Sequence, residues 1–113
     1  MKPIRLTQPD HDRRSLALHA CVAVLLRRDP GLLDVAIDRL SAWRQTADAG
    51  SLPALDAWDR VLRAGLDATL AMALSDTPRA AQLRQSSPLS GLLSPKARWA
   101  FLDDWKAREA EAQ

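Results

Sequence analysis

Arg14 and His19 stand in the run Arg14-Ser15-Leu16-Ala17-Leu18-His19, an arginine followed by four residues and a histidine. Histidine exchanges a proton near neutral pH and arginine neutralises phosphate charge, so this pair suits phosphodiester chemistry. The structural account of the same residues is an interhelical hydrogen bond from His19 and a surface or interface role for Arg14. Cys21 and His19 cannot form a proton-sharing dyad, because residues two apart on a helix point roughly 200° from each other. Cys21, the only cysteine, is therefore read as a small core hydrophobe, and with no second thiol it fits a reducing cytosol. No metal is expected, since one cysteine with histidines at 11 and 19 lacks the spacing of three or four converging ligands. Asp34 and Asp38, one helical turn apart, read as a solvated face rather than a cation site. The four glycines form no phosphate-cradling loop, and no Gly-x-Ser-x-Gly elbow exposes a nucleophilic serine. Neither catalysis nor a cofactor is expected.

Candidate binding residues lie farther along. Leu83-Arg84-Gln85-Ser86-Ser87-Pro88 precedes Leu92-Leu93-Ser94-Pro95-Lys96-Ala97-Arg98-Trp99. Short polar side chains here cap a helix and turn the chain. Arg84 and Arg98 also present planar donors for carboxylate or phosphate, and Trp99 is placed to stack on either guanidinium. We take Arg14, His19, Arg84, Gln85, Ser86, Ser87, Arg98 and Trp99 as the candidate binding set.

These residues are carried on helices. Asp29-Pro30, Ser51-Leu52-Pro53, Thr77-Pro78 and Ser94-Pro95 each put a capping side chain just before a proline, whose fixed φ suits a first helical turn. A further start falls near Asp10 to Ser15. Gly50 fits a left-handed position closing the second helix. Hydrophobic periodicity gives five helices near 12–28, 30–48, 53–75, 78–86 and 95–110, and no strand-like alternation appears. The expected fold is all-α, a compact bundle of about five helices with a largely buried first helix, which is apolar almost all round from Leu16 to Leu26. In the third helix, Leu55, Trp58, Leu62, Leu66 and Met72 form one stripe, with outward pairs Asp56–Arg60 and Asp59–Arg63. Gly65 interrupts that helix and is read as permitting close packing. Trp99, Leu102 and Trp105 are assigned to an inward face of the last helix. The expected organisation is a mobile N-terminal arm over 1–9, one helical domain over 10–110 and a tail over 111–113.

At 113 residues the chain holds one domain, and 47% hydrophobic with 27% charged residues is the balance of a globular rather than a disordered chain. The net charge of +2 hides segregation, since residues 1–28 sum to +4, 29–76 to −4 and 77–113 to +2. The longest apolar run, Ala20 to Leu26, is far below the roughly 20 residues a membrane span needs, so no membrane association and a cytoplasmic setting are expected. Arginine supplies thirteen of the sixteen basic residues, a bias that fits a GC-rich genome as well as it fits recognition.

The Arg14 to His19 spacing resembles the signature of the HEPN ribonucleases, small all-α proteins. That resemblance implies a dimer using Arg14 and His19 on RNA, although in that family the motif usually sits late in the bundle rather than in its first helix. Taken together, Arg14-Ser15-Leu16-Ala17-Leu18-His19, Leu83-Arg84-Gln85-Ser86-Ser87-Pro88 and Ser94-Pro95 with Arg98-Trp99 resemble small bacterial all-helical proteins of the antitoxin kind, over roughly residues 13–105. This second resemblance implies a protein whose role is to bind a toxin encoded by a neighbouring gene. The favoured expectation is a non-enzymatic protein-interaction module, with the acidic second and third helices or the 84–90 loop as its surface. The alternatives are a HEPN-like homodimer and a DNA-binding regulator. The connection between the last two helices is long for a helix-turn-helix, which needs a turn of three to four residues, so nucleic-acid binding has weak support.

Overall fold

Thr77 accepts a hydrogen bond from the Ala80 amide (3.1 Å), and Ser94 one from the Ala97 amide (3.1 Å). Each hydroxyl satisfies a first-turn donor that has no partner inside its own helix, and the proline that follows loses nothing by lacking an N–H. The computed structural model describes residues 8–111. Six α-helices are found among them: α1 (Gln8–Arg28), α2 (Leu32–Thr46), α3 (Leu52–Arg63), α4 (Leu66–Leu74), α5 (Pro78–Arg84) and α6 (Pro95–Glu111), with a 3-10 turn at Ser90–Leu92. The all-α fold expected from the sequence is found, with no strand among the described residues. Of the arm and tail assigned to 1–9 and 111–113, residues 1–7 and 112–113 lie outside the described residues, whereas Gln8, Pro9 and Glu111 belong to helices.

Two of the four cap assignments need correction. Asp29 does not cap through its side chain, because α2 begins two residues beyond Pro30 on backbone bonds such as Leu32 N–H to the Asp29 carbonyl (3.1 Å). The Ser51 side chain makes no cap bond either, and its own N–H donates to Asp48 Oδ1 at 2.8 Å. The side chain and backbone of Ser51 both hold the exposed Asp48 carboxyl below its usual pKa. Gly50 is not left-handed, because Ala47 leaves α2 in an extended conformation and makes such a cap unnecessary.

The expected helix over 53–75 is two helices. Gly65 has φ 109° and ψ −177°, a region essentially closed to residues with a Cβ. A Cβ built there would meet nothing within 4 Å, so the glycine breaks the helix rather than admitting a neighbour. Thr69 closes the corner. Its side chain is buried, and its hydroxyl lies 2.8 Å from the Gly65 carbonyl and 3.3 Å from that of Val61, bonding across the break.

α1 packs on α4, α5 and the 3-10 turn, while α2 and α3 form an adjoining pair. Val22, Ala23 and Leu26 of α1 meet Ala36 and Leu40 of α2, Leu55, Trp58 and Leu62 of α3, and Leu70 and Ala73 of α4 in one core. Trp58 is fully buried, and its indole N–H donates to the Leu83 carbonyl (2.7 Å), so burying the ring strands no polar group. The central position expected for α1 is found, with burial gathered on the face carrying His19, Val22, Ala23 and Leu26. Cys21 is a correction: it lies on the opposite face and is exposed, so it fills no core. Asp59 pairs with Arg63 at 2.9 Å as expected, but the expected Asp56–Arg60 pair is not found and Asp56 instead meets Arg44 of α2 at 2.9 Å.

α6 is different in kind. It contains no buried residue and shares no extensive backbone packing with any other element. Phe101 and Trp105 are half-buried and stack at 6.2 Å between ring centres, while Arg13 of α1 reaches Glu109 at 3.7 Å. Trp99, assigned to the inward face, is 63% exposed. The correction follows from helix geometry, since Phe101, Leu102 and Trp105 share the stripe turned to the bundle and Trp99 falls beside it.

Candidate functional site

Because α6 stands off from the bundle, a cleft of about 520 Å³ opens between it, the N-terminal half of α1 and the end of α5. Arg14, His19, Arg84, Gln85 and Arg98 all line it, so five of the eight candidate residues converge. Ser86 and Ser87 line a separate shallow hollow with Trp43 and Leu55, although Ser87 also reaches His19. Trp99 lies on a third hollow with Leu93 and Pro95, which adjoins the cleft through Arg98 and Leu102. No stacking of Trp99 on Arg84 or Arg98 is found among the described residues.

His19 is only 1% exposed. Its Nδ1 lies 2.7 Å from the Ser15 carbonyl and its Nε2 lies 2.9 Å from Ser87 Oγ. A carbonyl only accepts, so Nδ1 carries the proton and Nε2 accepts from the Ser87 hydroxyl. Ser87 Oγ in turn accepts the Leu89 N–H at 3.1 Å. This closed chain ties the segment after α5 to α1 and leaves neither ring nitrogen free. Burial pushes the His19 pKa below its ordinary value, the Arg84 charge adds to that, and the Ser15 carbonyl opposes it. The imidazole is thus held neutral.

Arg84 is the second buried polar group, at 4% exposure. Its Nη1 donates to the carbonyls of Ser75 (2.6 Å) and Ala73 (3.3 Å), at the C-terminal end of α4. A cation there completes orphan carbonyls and complements the helix dipole. Burial lowers the Arg84 pKa, while Asp12 and Asp76 act the other way. Its Nε is buried with no hydrogen-bond partner.

The rim is more open. Arg14 is half-buried, with Nη2 3.4 Å from His11 Nδ1, and Arg98 is exposed. Leu18, Phe101 and Leu102 supply an apolar wall, and Asp12 is the single carboxylate in the lining. His11, Asp12, Ser15, Leu18, Ser90, Phe101 and Leu102 lie outside the candidate set. Phe101 and Leu102 had a signal in the sequence, lying three and four residues beyond Arg98 on one helix.

No three His, Cys, Asp or Glu side chains converge among the described residues to hold a metal ion. Residues 85–94 between α5 and α6 contain the 3-10 turn and are too long for the turn of a helix-turn-helix. No described helix is long and apolar enough to cross a membrane. No family model, curated protein or solved structure matches the chain.

Proposed function

We propose that this protein is a non-enzymatic interaction module, of the kind that binds and neutralises a toxin enzyme encoded beside it. One observation carries the reading: the residue best suited to proton transfer is committed to structure, while Arg14, Gln85 and Arg98 stay accessible around the cleft. His19 is buried with both nitrogens hydrogen-bonded, and its pKa is lowered away from neutrality. Arg14, Gln85 and Arg98 surround an open cleft with an apolar wall. Arginine beside large apolar side chains is the composition protein interfaces favour. The test is co-expression with the product of the adjacent gene, which should restore growth and yield a stable complex. Absence of both removes the reading.

A second reading keeps one observation in its favour. Arg14 and His19 line the same cleft, as a HEPN-like ribonuclease would require. Its test is RNA cleavage by the purified protein and loss of cleavage in His19→Ala. Cleavage retained in that variant, or none in the parent, defeats it.

A further inference from the structure

Three arginines border the cleft under α6, and only one carboxylate, Asp12, stands among them. Asp12 acts on Arg84, so the lining as a whole keeps an excess of positive charge, three arginines to one carboxylate. Arg84 adds positive charge to the lining from a buried position, its Nη1 bonded to the Ser75 and Ala73 carbonyls. Leu18, one turn from Arg14 on α1, and Phe101 and Leu102, one turn from Arg98 on α6, ask for an apolar group beside the anion. The volume suits a few side chains of a folded or extended segment.

On these grounds, and resting on the interaction reading above, we infer that the cleft captures an acidic segment of the protein partner. An Asp or Glu carboxylate is set between Arg14 and Arg98, and a neighbouring large aliphatic side chain lies against Leu18 and Phe101. Carboxylates match the planar fork of arginine. A nucleic acid fits less well. A backbone track needs basic groups spaced along many phosphates, whereas this lining holds three arginines interrupted by Asp12 and an apolar wall. The acidic middle of the chain, net −4 over 29–76, makes a second copy of the same protein the competing occupant.

The experiment is a fluorescence anisotropy titration with a labelled peptide, Glu-Leu-Glu-Glu-Leu repeated twice, run beside its Gln-for-Glu counterpart and a ten-nucleotide oligouridylate. Saturable binding of the acidic peptide is expected, weakened about tenfold or more by Arg98→Glu and by added salt. Arg98 is exposed, so this variant should keep the parent helical circular dichroism. No saturable binding, equal binding of the Gln peptide, tighter binding of the oligonucleotide, or a parent dimer that Arg98→Glu converts to monomer would each overturn the assignment. The partner complex separates the two claims. If it forms equally well with the Arg14→Glu, Arg98→Glu double variant, the interaction reading stands and the cleft assignment falls. If no complex forms with the parent, the interaction reading fails, whatever the peptide does.

Discussion

At the scale of single residues, the clearest consequence of the structure belongs to His19. Its folded pKa lies below the unfolded value of about 6.5, so the unfolded chain binds more protons and stability rises with pH across that window. The contribution is complete above about pH 6.5 and is lost as pH falls toward the folded pKa. Urea midpoints should therefore drop between pH 7 and pH 5, and a flat profile would count against the buried neutral imidazole. Ser87→Ala leaves both His19 Nε2 and the Leu89 N–H without their partner, and should cost about 1 to 3 kcal/mol at pH 7 by urea unfolding. Cys21 should react with a thiol reagent in the native state, as an exposed thiol does and a core thiol does not. The sequence suggested an interhelical hydrogen bond from His19, whereas its long-range partner, Ser87, lies in the connection after α5. It did not indicate Ser87, because a contact across 68 residues leaves no local pattern. Cys21 misled for a related reason: an apolar run shows which residues avoid charge, but not which face of the helix its neighbours cover.

At the scale of elements, helix starts marked by a capping hydroxyl and proline were legible where the side chain makes its bond, at Thr77 and Ser94. Where backbone or a different side chain takes over, as at Asp29 and Ser51, the start shifts by one or two residues. Gly65 was visible as an interruption, but its role depends on φ, which composition does not report. Gly65→Ala should cost about 1 to 3 kcal/mol, since the added methyl group meets empty space while the backbone is strained. A substitution that leaves the urea midpoint unchanged would show that the α3–α4 corner relaxes. α6 belongs to the weakly held end of the stability range, with no buried residue. Its amides should exchange with deuterium well before those of α1 and α3, and equal protection would mean that α6 is a full member of the bundle. Its aromatic residues suggested an inward face in the sequence. Which aromatics actually turn inward depends on where α1 runs, and that is a tertiary fact.

At the scale of the whole molecule, the charge segregation seen in the sequence acquires a location. Arg14 comes from the basic start of the chain and Arg84 and Arg98 from its basic end, and the fold brings them to one cleft, whereas Arg44, Asp56 and Asp59 tie the acidic helices to each other. Five of the eight candidate residues line the cleft, His19 and Arg84 as buried groups beneath it and Arg14, Gln85 and Arg98 around it. The apolar wall escaped notice because Leu18, Phe101 and Leu102 look like core residues until the gap beneath α6 is seen. A surface arranged in this way should bind its partner more tightly at low than at high salt, because rim charges act through water and are screened over about 10 Å at 0.1 M. The most direct measurement is co-expression with the adjacent gene followed by purification of the tagged protein. A stable complex together with restored growth is the expected result, and the absence of both would contradict the assignment of this chain as a binding partner.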